Sequence, residues 1–165
     1  MDNKLQYRMY VLDERHLSPL DKGIQSAHAI CEYYNIVSQE NKEDFEKYKR
    51  WALEDKTIVI LNGGTVKDLN SIISLMYEKN INNIGIFHEI DLDNIVTAIA
   101  ILVDEQVWNL EKYPEYKDWL TNKAINENSL FILDYTKTYD EWVKFVGGEQ
   151  KVFLRQILNN RRLAR

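Results

Sequence analysis

Residues Leu17 to Tyr34, LSPLDKGIQSAHAICEYY, decide how the rest of the chain is read. Ser18-Pro19-Leu20-Asp21 is a helix start: a serine cap, a proline in the first turn, and an acid facing the freed N–H groups. Leu20, Ile24, Ala27, Cys31 and Tyr34 recur at helical spacing and predict the core stripe of a helix running to about Ile36 or Val37. Asp21, Gln25, His28 and Glu32 fall on another stripe. Gln25 and His28 are therefore expected to face a cleft or solvent. The plain alternative is a solvated surface with His28 hydrogen-bonded to a neighbour.

The flanking segments supply a sheet. Tyr7 to Leu12 reads as a short strand. The β-branched run Thr57 to Leu61 reads as a strand buried on both faces. Ile84 to Phe87 reads as a third strand, and Ile95 to Val103 as a long apolar one, expected to be central. Asp44 to Leu53 predicts a second helix with Phe45, Tyr48 and Trp51 or Ala52 inward. Thr65-Val66-Lys67-Asp68 opens a third, with Val66, Leu69, Ile72, Ile73 and Met76 amphipathic. This order predicts an α/β domain with a small, mixed four-stranded sheet flanked by helices over residues 1–105.

Residues 106–165 read as a mainly helical extension of short amphipathic pieces packed on that core. They include SLFILDYTKT and hold Trp108, Trp119 and Trp142. Lys151 to Arg165 has five basic residues and no acid, and predicts a basic amphipathic helix, solvated or partner-facing.

Bulk properties narrow the classes. The chain has 165 residues and a net charge of -5, so as a whole it is no polyanion binder, although a local basic patch is compatible with that charge. Cys31 is the one cysteine, which excludes an intramolecular disulfide and a cysteine-built metal site. It lies on the predicted core stripe and reads as packing. No secretory signal and no membrane-length apolar run is seen, so a reducing, cytoplasmic setting is expected.

A second polar stretch is FHEIDLDN, Phe87 to Asn94, between two strands. Its acids suit an oxygen cluster, a general base or hydrogen-bond acceptors for a ligand, and equally a tight capped turn. Asp91 and Asp93 match calcium-loop spacing, but its glycine and terminal Glu are missing. His28, His88 and Glu89 lack zinc-site spacing, so no metal or other cofactor is expected. Gly63-Gly64 matches neither phosphate-loop fingerprint and reads as a turn. No GxSxG and no Ser/His/Asp set is present.

Two stretches, in order, resemble the class II peptidyl-tRNA hydrolase superfamily: GIQSAHA, with its Gln-x-x-His-Ala, and the later strand–loop–strand. The likeness is closer to a bacterial and phage branch, with Leu17-Ser18-Pro19, Glu89-Ile90-Asp91-Leu92 and Thr97-Ala98-Ile99-Ala100 in place. It covers roughly Gln6 to Glu105.

The resemblance implies a four-stranded mixed sheet and cleavage of the ester between a peptide and its tRNA. It implies a homodimer, and host cytoplasm if the gene is a phage's. The family's catalytic Asp falls on Glu89, its Lys on Asp21 with Lys22 next to it, and its Thr on Asp93. The family's Gly-Arg-Thr-Gln loop is absent. The expected catalytic set is Glu89, His28 and Lys22. The expected substrate set is Gln25, Asp91, Asp93, Asn94 and Thr97, holding a tRNA-linked or nucleotide-like ligand. A basic surface, from the tail or from Lys47, Lys49 and Arg50, has to offset the acidic mouth. The alternatives are a catalytically degenerate nucleotide-, tRNA- or protein-binding module, such as a phage accessory protein, and an assembly protein using the aromatic extension.

Overall fold

The computed structural model describes residues 5–40, 42–126 and 135–164. The chain forms an α/β protein with one open, mixed sheet of four strands: β1 (Tyr7–Glu14), β2 (Ile58–Gly64), β3 (Gly85–Glu89) and β4 (Ile95–Asp104), in the order β2-β1-β4-β3. β1 pairs parallel with β2, and β4 pairs antiparallel with both β1 and β3. β1, β2 and β3 therefore run the same way, and their C-terminal ends meet the start of β4 at one edge. Such an edge is where open α/β sheets place ligands.

The connections are α1 (Pro19–Glu40) and α2 (Lys42–Arg50) between β1 and β2, and α3 (Val66–Glu78) between β2 and β3. The predicted starts form as read. Ser18 Oγ accepts from the Asp21 N–H at 3.2 Å, and Thr65 and Asp68 close a reciprocal capping box. α2 ends in a π-turn over Trp51–Asp55, whose Trp51 is buried and donates its indole N–H to the Thr57 carbonyl at 2.9 Å.

One core layer lies between α1, α2 and the sheet: Met9, Val11, Ala98 and Ala100 from the strands, against Ala29, Tyr33, Val37 and Trp51. α3 covers the other face through Leu69, Ile72 and Met76. At Gly85 the helix backbone comes so near that an added Cβ would sit 2.0 Å from the Ala29 carbonyl oxygen and 2.4 Å from the Tyr33 nitrogen. Glycine is obligatory there for close approach, not for a turn.

Three expectations need correction. The inward stripe of α1 is Lys22, Gln25, Ser26, Ala29, Tyr33 and Val37, whereas Leu20 (73% exposed), Ile24, Ala27, Cys31 and Tyr34 face out. The sheet offers a shallow floor of Gly85, Ala98 and Ala100, which lets the α1 backbone come close at Ala29 and Tyr33. β2 is not buried on both faces but is an edge strand, with Ile58 48% exposed. Its outer edge is partly capped by the C-terminal segment: the Asn62 N–H donates to the Arg162 carbonyl at 2.9 Å and the Ala164 N–H to that of Ile60 at 3.0 Å. Lys151 to Arg165 is therefore no continuous basic helix. α7 stops at Leu158, and Arg155 within it is buried.

The chain divides into two compact units, one running to Asp104 and taking back Asn160 onward, the other Glu105–Asn159. The extension expected over 106–165 thus loses its last residues to the sheet unit. The second unit holds α4 (Glu105–Trp108), α5 (Tyr116–Asn126), α6 (Tyr135–Phe145) and α7 (Glu149–Leu158). Trp142, Val143, Val146 and Val152 form its core, flanked by Tyr113, Tyr116, Trp119 and Tyr139. Arg155 threads that core, donating to the carbonyls of Gln106 at 2.7 Å and Tyr113 at 2.8 Å and pairing with Glu115 at 3.1 Å. A buried guanidinium held in this way through both terminal nitrogens, its Nε buried without a hydrogen-bond partner, organises the unit instead of offering a basic surface. Most of SLFILDYTKT lies outside the described residues.

Candidate functional site

Two bulges shape the shared strand-end edge. In the β3–β4 pairing Phe87 opposes Ala98 and His88 opposes Val96, so Thr97 is an extra residue on β4. A bulge re-aims the side chain it carries. Thr97 is fully buried, and its hydroxyl donates to Gln25 Oε1 at 2.9 Å. The other end of the same amide, Nε2, donates to Glu89 Oε2 at 2.7 Å. Gln25 thus ties α1 to the end of β3 and the start of β4, residues 64 and 72 positions away in sequence. The second bulge lies in the β1–β2 pairing, where Asp13 opposes Asn62 and Glu14 opposes Gly64.

Beside this chain of hydrogen bonds sits a second group. Asp13, at the end of β1, is wholly buried and receives the Ser26 hydroxyl at 3.0 Å on one carboxyl oxygen and 3.2 Å on the other. Burial pushes its carboxyl up to about 7, against the opposing pull of the Ser26 hydrogen bond and the Lys22 charge. Lys22 is itself buried on the same helix side, one turn before Ser26. A buried carboxyl that titrates near neutrality beside a cation is the environment in which proteins place acid–base groups.

Of the residues expected from the sequence, Gln25, Glu89 and Thr97 come together, and Lys22 joins Asp13 and Ser26. His28 is exposed and stacks on Phe87 with centroids 4.4 Å apart and planes 14° apart, at the rim of the same helix–strand junction. Asp91 contributes its backbone N–H to Glu89 Oε1 at 3.4 Å, not its carboxylate. Asp93 and Asn94 are exposed and left-handed, with φ of 56° and 58°, and turn the chain into β4. That stretch is the capped turn that was the plain reading of it, with only Glu89 drawn inward.

Asp13 and Ser26 were missed by the sequence reading. The available signals were an acid closing the apolar run YVLD, and a serine one helical turn from Lys22. The glycine pair is also a turn: Gly64 has φ +93°, and the N–H groups that follow are served by the Thr65–Asp68 capping box. Among the described residues no group of three or more His, Cys, Asp or Glu is placed to hold a metal ion, and no helix is long and apolar enough to cross a membrane.

The geometry defines an α/β protein whose mixed open sheet carries a buried polar constellation at its strand ends. No family model matches the chain, and no curated protein matches it either.

Proposed function

We propose that the sheet unit is a peptidyl-tRNA hydrolase-like domain that binds and hydrolyses an ester linked to tRNA. The observation that carries this reading is the Gln25 amide, held between Glu89 and Thr97. It joins the two stretches on which the family resemblance rests. Glu89 is half-buried, with one oxygen fixed by Gln25 and the other near the Asp91 N–H. Its remaining lone pairs orient a water. As that water adds to the ester carbonyl, Glu89 takes its proton; the bond to the ribose oxygen breaks, and the proton passes to that oxygen. In this reading His28, stacked on Phe87 at the rim, assists the transfer, and Lys22 supplies positive charge for the developing oxyanion.

One observation favours a second reading, a binding module without turnover. Asp13 and Thr97 have no exposure, and both ends of Gln25 are already engaged, so this network is satisfied without a ligand. Release of N-blocked aminoacyl groups from charged tRNA separates the two. Hydrolysis by the wild-type protein that drops about 100-fold or more in Glu89→Gln is the expected result. Folded wild-type protein that releases nothing from several charged tRNAs would remove the hydrolase and leave the binding module.

A further inference from the structure

We infer that the open face of His28, backed by Phe87, is a stacking site for the base of the nucleotide whose ribose carries the ester. The choice of a nucleobase rests on the tRNA-ester reading above; the site itself rests on two neighbouring contacts between α1 and β3. Gln25 and His28 are three residues apart on α1, and Phe87 and Glu89 two apart on β3, so each pair falls on one side of its element. The pairs meet rung by rung: Gln25 with Glu89 at 2.7 Å, and His28 with Phe87 at 4.4 Å between ring centroids and 14° between planes. The first rung is polar. The second is a pair of flat rings.

His28 is exposed, whereas Phe87 is half-buried and packs on the core below α1. Among the described residues the imidazole makes no hydrogen bond and no ion pair, and Phe87 is the one ring it stacks on. An exposed ring with one face covered offers the other. Histidine and phenylalanine are among the side chains on which unstacked bases lie. The turn that follows Glu89 directly adds exposed apolar side chains: Ile90 is 81% exposed and Leu92 47%.

Spacing selects the base. Positions three apart on a helix lie roughly 5–6 Å apart at Cβ, the scale of the reach from a ribose hydroxyl across the sugar ring to its base. An ester on that hydroxyl, held at Glu89, thus leaves the base at His28. The acyl group extends away from the ribose, and its side chain differs from one ester to the next. Charge agrees with this order. Asp91 and Asp93 are exposed on the turn and repel phosphates, whereas stacking needs no charge, and the last nucleotide of a tRNA carries a phosphate on one side only.

The test is equilibrium binding of an unacylated RNA trinucleotide that ends in the fluorescent base 2-aminopurine, with the same RNA carrying an abasic last residue as competitor. The proteins are wild type, His28→Ala and His28→Tyr, each checked for an unchanged melt. Wild type should quench the fluorescence and bind the abasic RNA about tenfold more weakly. His28→Ala should lose affinity about tenfold and no longer distinguish the two RNAs. His28→Tyr, which keeps a ring but not the imidazole nitrogens, should stay near wild type. No quenching by wild type, equal affinity for the two RNAs, or unchanged affinity in His28→Ala would each overturn the site. So would displacement by N-acetylphenylalaninamide but not by adenosine monophosphate, which would assign the open face to an aminoacyl side chain. The charged-tRNA assay keeps the two readings apart. Base-dependent binding without ester release sinks the hydrolase and leaves the stacking site; ester release whose KM does not move in His28→Ala sinks the stacking site and leaves the hydrolase.

Discussion

The two long sides of α1 differ in a way that runs against the usual division of labour. The side against the sheet begins with Lys22, Gln25 and Ser26 and only then turns apolar with Ala29, Tyr33 and Val37. The side facing out carries Leu20, Ile24, Ala27, Cys31 and Tyr34. Burying three polar side chains is costly unless each finds a partner, and for two of them the partners are in view: Asp13 for Ser26, and Glu89 with Thr97 for Gln25. Burial therefore follows whether a polar group's hydrogen bonds are met, and a satisfied amide can take a place that Leu or Ile would otherwise hold. The apolar residues left outside follow one another a turn apart along the helix, and the last of them, Tyr34, packs against Phe45 and Tyr48 of α2.

The contrast can be broken most severely at its hinge. Gly85→Ala puts a methyl group into the backbone of α1, and should lower unfolding free energy by about 3 kcal/mol or more in a urea titration, with loss of ligand binding or turnover. A cost under about 1 kcal/mol would mean that α1 can lift without loss. Next is Gln25→Leu, which keeps the bulk and strands the Thr97 hydroxyl and the Glu89 carboxylate. The expected cost is about 1–3 kcal/mol, again by urea. A neutral outcome would show that shape, not hydrogen bonding, settles the buried side.

Asp13 gives a pH signature. Its carboxyl holds its proton to about pH 7 in the folded chain but gives it up near 3.8 when unfolded. Between these values the folded state binds more protons, so stability falls as pH rises, by at most about 1.4 kcal/mol per pH unit from this group. Asp13→Asn should flatten the stability profile across that window; an unchanged slope would assign it to other groups. The smallest effect is expected on the outer side. Leu20→Ser and Ile24→Ser should each change stability by less than about 0.5 kcal/mol. A loss above about 1 kcal/mol would show that the outer side is covered in solution, and a change in sedimentation would say by what.

Much of the fold was legible. The strand order in sequence, the caps at Ser18 and Thr65, the amphipathic α3 and the inward Trp51 all follow from local rules: capping, β-branched runs and helical spacing. Gln25 was legible as a candidate because it stood in an otherwise apolar helix, Glu89 because it stood in an acidic stretch between two strands, and Thr97 through the family resemblance. Their mutual contact was not, because it depends on an extra residue in β4 that turns Thr97 toward α1, and a bulge leaves no local signature in IVTAIA. Asp13 and Ser26 escaped notice because an acid after a strand and a serine in a helix are ordinary until burial makes them unusual. The tail misled for a related reason. Arg155 and Arg161 look alike in sequence, yet one fills the core of a helical unit and the other lies along a sheet edge.

Up to the tail after Leu158, the sequence by itself determined which of the segments of the sheet unit are helix and which are strand, because those choices rest on contacts within a few residues. It also set the residues able to do chemistry. Tertiary structure decided which side of α1 meets the sheet and where the last arginines lie. Both depend on surfaces supplied by distant segments: the floor of Gly85, Ala98 and Ala100 under the helix, and the open edge of β2 that residues 160–164 join. Periodicity measures a helix against itself; only the shape and the unmet hydrogen bonds of its neighbours choose between two sides that both fit the period.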